Sequence, residues 1–178
     1  MENKSLDYME FLAPLQELLA QDQVKEMKNY IQHGNTSTYL HCILVAYYSY
    51  CIAKFLPLSY DIKSIVRGAM LHDFYLYDWH IADKSHKLHG YVHPEFALRN
   101  AKRYFKLNQI EVDIITKHMW PLTLTKVPRY REALLVCLVD KFCSLAETCY
   151  IPLQDILIPG KEFTRTKGLL QISTTKEK

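Results

Sequence analysis

Glycine is scarce, with five residues in 178. A β-sandwich or barrel needs frequent tight turns, and so few glycines argue against either. An excess of one charge is missing too. The formal net charge is +3 and the charges are well mixed, so no nucleic-acid groove is expected, although a local basic patch around an anionic ligand remains compatible. The uncharged run over 39–53 falls short of the roughly 20 residues of a membrane span. It also carries His41 and several tyrosines, which suits a central buried helix and no membrane contact. The five cysteines, Cys42, Cys51, Cys137, Cys143 and Cys149, form no CxxC or comparable zinc pattern. They read as buried, unpaired thiols of a reducing compartment. The opening MENKSLDYME has no apolar signal core, and a cytoplasmic location is expected.

Apolar residues are plentiful, 49% of the chain, which is enough for one well-developed core. Their spacing is mostly helical. Phe11, Leu12, Leu15, Leu18 and Leu19 mark a first amphipathic helix, and Val24, Met27 and Ile31 continue it or begin a second. Gly34 and Asn35 stop that segment, Thr36 or Ser37 caps the next, and Pro57 ends it. Ile62, Ile65, Val66, Ala69 and Met70 form a helix that delivers His72 and Asp73 at its end. A polar and aromatic loop is expected over 75–92, with His93 at a cap and Pro94 at the first helical position. A short helix over 110–119 holds His118. A long one over 129–150 carries Asp140 and stops before Pro152. No period-2 strand stands out. The expected class is therefore all-α, a single-domain helical bundle. Residues 1–34 form an N-terminal helical segment packed on the core, 35–150 the main domain, and 151–178 a partly disordered extension.

Several of these helices bring a metal-ligating side chain into apolar surroundings. Asp140 follows Val136 and Cys137 by four and three residues in LLVCLVDKF and shares their buried face. An isolated carboxylate there carries a heavy desolvation penalty, which a divalent ion removes. His72 and Asp73 pose the same problem. Taken singly, each residue has an ordinary structural explanation: a buried histidine is usually hydrogen-bonded, and Asp140 could pair with Lys141 or Arg67. The ordered set of His, His-Asp, His, His and Asp on successive helices argues for more.

His41, His72-Asp73 and Asp140 resemble the H…HD…D signature of the HD superfamily of metal-dependent phosphohydrolases, over roughly residues 35–150. The resemblance implies an all-α HD-type bundle. His93 in HPEFALRNA and His118 in IITKHMW match the two histidines that two-metal members add. By that resemblance His41, His72, Asp73 and Asp140 would hold one ion, and Asp73, His93 and His118 a second, with Asp73 bridging. The chain departs from many two-metal relatives after the pair: it reads His-Asp-Phe-Tyr-Leu, without the lysine that they place near the phosphate.

The expected function is hydrolysis of a phosphoester, a nucleotide or another small phosphorylated molecule, by a metal-bound hydroxide, with Asp73 and His72 at the catalytic centre. Two ions roughly 3.5–4 Å apart would clamp the phosphoryl oxygens. Mixed His/Asp ligation suits Mn, Fe, Ni or Zn better than Ca or Mg. Lys87, His89 and Lys141 are candidate substrate contacts, and Arg99 is a weaker one. Asp78 is either a general acid or base or a solvated loop acid. His86, His89 and His93 could form a stripe of their own, but Gly90 and Pro94 argue against an unbroken helix there. His33 and His80 have only their residue type in their favour. Phe74, Tyr75, Tyr77 and Trp79 either stack on a base or pack the core. Two other readings share the scaffold: a catalytically silent module that senses a nucleotide or partner, and a di-iron oxygenase.

Overall fold

Entry into the bundle is set by a capping aspartate. In the computed structural model Asp7 accepts a hydrogen bond from the Met9 N–H and starts helix α1, Tyr8–Leu19. The structure describes residues 7–81 and 87–153, together with the backbone of two strands at 163–166 and 169–172. Helices follow at Asp22–Glu26 (α2), Thr38–Phe55 (α3), Ile62–Leu71 (α4), His89–Tyr104 (α5), Gln109–Lys117 (α6) and Arg131–Thr148 (α7). The all-α, single-domain class holds. Among the described residues no helix is long and apolar enough to cross a membrane.

Helix α4 is the hub, packed on α1, α3 and α6, while α7 closes the bundle against α3 and α6. Asp61 caps α4 through the Ser64 N–H. The α4–α6 contact depends on Gly68, where an added Cβ would lie 2.5 Å from Ile114 Cδ1. Arg67, buried beside it, pairs with Glu111 at 2.7 Å and Glu17 at 2.9 Å. It is therefore engaged elsewhere and is not the partner of Asp140.

Two short antiparallel hairpins depart from the sequence expectation. Strands β1, Ile31–His33, and β2, Thr36–Ser37, turn through Gly34 at φ +54°. Ile31 thus leaves the helix it was expected to extend, whereas Ser37 does cap α3, accepting from the Leu40 N–H. Three-residue strands are too brief for alternation to register. The second hairpin pairs β3, Phe163–Thr166, with β4, Leu169–Ile172. The expected disorder of the C-terminal extension otherwise lies outside the described residues. All five cysteines are unpaired, but only Cys42, Cys137 and Cys143 are buried; Cys149 is exposed.

Helix α5 also begins earlier than expected. The chain enters through Leu88 in the left-handed region, whose carbonyl accepts from the Tyr91 and Val92 N–H groups. Pro94 then falls inside the helix, near its start, where its missing N–H removes a single ladder bond, the one to Gly90. His93 is consequently a helical residue one turn in rather than a cap.

Candidate metal centre

Five helical segments deliver six buried side chains to one point: His41 from α3, His72 and Asp73 from the end of α4, His93 from α5, His118 from the end of α6 and Asp140 from α7. None is more than 5% exposed. The Asp73 carboxylate divides them. Its Oδ2 lies 3.3 Å from His72 Nε2 and 3.8 Å from His41 Nε2. Its Oδ1 lies 3.2 Å from His93 Nε2 and 3.5 Å from His118 Nε2. Asp140 Oδ1 closes the first group, 3.1 Å from His41 Nε2 and 3.5 Å from His72 Nε2. Three overlapping triads, His41–His72–Asp73, His72–His118–Asp140 and Asp73–His93–His118, have ligand atoms near enough to hold an ion.

The outer ring nitrogens fix which atoms face inward. His72 Nδ1 bonds the Ala69 carbonyl at 2.6 Å, His93 Nδ1 that of His89 at 2.8 Å, and His118 Nδ1 that of Ile115 at 2.9 Å. A carbonyl only accepts, so each Nδ1 carries a proton and each Nε2 is the atom turned inward, open to a lone pair or a second proton. His41 Nδ1 instead meets Glu147 Oε2 at 2.9 Å. Two bare Nε2 atoms, of His93 and His118, then face each other at 2.7 Å, an arrangement that requires a proton or a metal ion beside them. His72 Nε2 and Asp73 Oδ1 are buried without a hydrogen-bond partner. Orphaned donors aimed at one point, each oriented by an outer contact, fit a metal ion.

Burial and neighbouring charges set the protonation of these groups. Burial opposes charge on His41, yet its bonds to Asp140 and Glu147 prevail and hold its pKa at about 10. Burial likewise opposes charge on His72, but Asp73 and other neighbours hold its pKa well above the usual range. Burial works to raise Asp73 and Asp140 as well, and the surrounding histidines hold both well below it. His118 goes the other way: burial pushes it down to about 4, so it stays neutral and ready to ligate. Protons on His41 and His72 thus stand in for a cation.

Comparison with protein-family models, curated proteins and solved structures finds no significant match. The helical bundle and the buried His/Asp cluster are compatible with an HD-type fold.

A cavity of about 390 Å³ opens onto the centre; beyond the centre's own groups it is lined by the polar Gln32, His33, His89, Lys141 and Ser144 and by Trp79, Gly90, Met119 and Leu122. Of the three expected substrate contacts, His89 and Lys141 reach it. Lys87 sits on the exposed turn before α5 and does not line it. Lys141 Nζ donates to the His118 carbonyl at 2.5 Å and lies 3.7 Å from Asp140 Oδ2. His89 stacks between His93, at 4.5 Å, and Trp79, at 5.0 Å. That contact joins two members of the histidine stripe weighed and disfavoured above, as packing; His86 lies outside the described residues. Phe74 and Tyr75 are core residues, and Asp78 binds the His80 backbone and ring as a local loop contact.

Several contributors had escaped the sequence reading. Gln32 on β1 donates to Asp73 Oδ2 at 2.6 Å, and its carbonyl oxygen accepts from the Tyr75 hydroxyl and, at 3.3 Å, from Thr38. Glu147 orients His41. Asn100 clamps the turn after Asp73, donating to the Phe74 and Tyr75 carbonyls at 3.0 Å each. His33 lines the cavity with its ring 5.7 Å from that of His41. A glutamine in a short polar strand and a glutamate late in a helix carry no periodic or motif signal; one clue was available for Glu147, which follows Asp140 by seven residues on the same helical face.

Proposed function

We propose that the protein is a metal-dependent phosphohydrolase of the HD type. The observation that carries this reading is the division of Asp73, one oxygen turned to His41 and His72 and the other to His93 and His118. His41, His72, Asp73 and Asp140 would hold one divalent ion, and Asp73, His93 and His118 the other; imidazole and carboxylate donors together suit Mn, Fe, Ni or Zn. Such a pair, when bound, supplies a water of lowered pKa and stabilises charge on the phosphoryl oxygens.

The chain's own groups do the rest. Asp140 and Asp73 counter the positive charge of the centre, and the backbone carbonyls at Ala69, His89 and Ile115 keep three imidazoles in the ligating tautomer. Lys141, which donates to the His118 carbonyl and lies 3.7 Å from Asp140 Oδ2, brings a cation to the cavity for an anionic oxygen entering it. Hydrolysis forms a P–O bond from water and breaks the ester P–O bond. The proton that water gives up goes to the departing alcohol.

The test combines metal analysis with phosphate release. Purified protein is expected to carry stoichiometric transition metal and to release phosphate from a phosphoester. Asp73→Asn, which removes one charge from both groups of ligands, is expected to lose bound metal and at least 100-fold in kcat/KM, on the scale of a lost ligand rather than an outer contact. Metal-free native protein with unchanged phosphatase activity in Asp73→Asn overturns the reading. Tight nucleotide binding without turnover would select a sensor module instead.

A further inference from the structure

The cavity's polar lining comes from the metal centre and from β1, α5 and α7. Apolar lining comes from Gly90, Met119 and Leu122, which lie together: a Cβ added at Gly90 would be 3.3 Å from Leu122 and 3.8 Å from Met119, while the Trp79 ring adjoins this group across the His89 imidazole. Leu122 is itself 47% exposed, and Leu88, Tyr91 and Leu124, its neighbours or those of Gly90 in sequence, are exposed as well.

Resting on the phosphohydrolase reading above, we propose that the substrate is a phosphomonoester of an apolar alcohol, with its phosphate at the six-residue centre and its hydrocarbon part against Met119 and Leu122. Three observations weigh against the more polar phosphate esters. A sugar's hydroxyls set against Gly90, Met119 and Leu122 would lose water and find no partner on those side chains, and the buried Trp79 indole N–H offers a single donor nearby. A second or third phosphate needs further cations, and Lys141 is the one lysine or arginine among the described lining residues. A stacked base needs a free aromatic face, but the rings of His80, at 4.0 Å, and His89, at 5.0 Å, already pack against Trp79. The volume, about 390 Å³, lies at the small end for ligand cavities and suits one phosphate with a single chain or ring.

The experiment uses metal-reconstituted full-length protein and two series of compounds. The first is non-hydrolysable n-alkylphosphonates from propyl to hexyl, titrated by calorimetry beside a hydroxylated phosphonate of similar size. Affinity is expected to rise by about three- to fourfold per added methylene, the factor for burying one CH₂. Leu122→Gln, at a half-exposed position, is expected to flatten that rise. An affinity independent of chain length, or tighter binding of the hydroxylated compound, overturns the proposal. The second series is the matching alkyl phosphates with glycerol phosphate, followed by phosphate release. Here kcat/KM is expected to follow the same order, and preferred turnover of glycerol phosphate overturns the proposal. A chain-length-dependent phosphonate affinity without release from any ester would leave the apolar site standing and sink the hydrolase reading.

Discussion

Asp73 is the residue on which both groups of ligands depend, and it is held from outside by one amide. Gln32 donates to Oδ2 at 2.6 Å while Tyr75 and Thr38 fix the other end of its side chain. Gln32→Ala is therefore expected to weaken metal binding by about 10–100-fold, the usual effect of removing an outer contact to a ligand. Competition with a chromophoric chelator would measure this. An affinity within twofold of wild type would mean that Asp73 needs no such support. That these six side chains would gather was legible in the sequence because charged or imidazole side chains in apolar helices demand partners. Gln32 was not, since an uncharged amide in a polar stretch demands nothing.

At the scale of elements, helix lengths and order could be read from spacing, whereas inward-facing sides could not always be. Helix α7 is apolar on most sides: Val136, Cys137 and Cys143 are buried, yet Leu134, Leu138, Phe142 and Leu145 are exposed. Periodicity alone cannot choose a face in such a helix; Asp140 identified it because a carboxylate was found among residues that bury. The start of α5 was misplaced because Pro94 is usually a first-turn residue, and the left-handed Leu88 that opens the helix leaves no mark in the sequence. The contact of α4 with α6 gives a prediction at this scale. Gly68→Ala brings a methyl group against Ile114, which already lies 2.5 Å from the added Cβ position. Overpacking of this kind costs about 1–3 kcal/mol, and a lower denaturant midpoint is expected. The same displacement would separate His72 from His118, so metal affinity should fall with it. A midpoint equal to wild type would show that the two helices can slide apart freely.

For the molecule as a whole, the centre links folding to pH. Without metal, His41 sits charged between Asp140 and Glu147 with its pKa at about 10, against about 6.5 in an unfolded chain. A folded pKa above the unfolded one gives stability that is complete below the unfolded value and fades as pH rises through the folded value. The melting temperature of chelated protein is therefore expected to fall between pH 7 and pH 10. Metal-loaded protein, with His41 Nε2 committed to the ion, should lose less over the same range. A flat profile for the chelated protein would count against a charged His41. The all-α class and the gathering of the six side chains were legible in the sequence; the cavity was not, because its apolar lining brings together Trp79, Gly90, Met119 and Leu122 from segments about 10–30 positions apart with no shared pattern.

If the six buried side chains hold metal as proposed, their burial has a consequence for kinetics. With none more than 5% exposed, an ion cannot be drawn out from the side, and the cavity mouth is the described passage. Removal should then be governed by opening of the protein rather than by the strength of the extracting agent. Mixed with increasing concentrations of chelator, the loaded protein is expected to release metal at a rate that levels off, and a bound hexylphosphonate should slow that plateau. A rate that keeps rising with chelator would place the ions within its direct reach. If release is that slow, the metal found in the protein records what was at hand when the chain folded, more than what surrounds it afterwards.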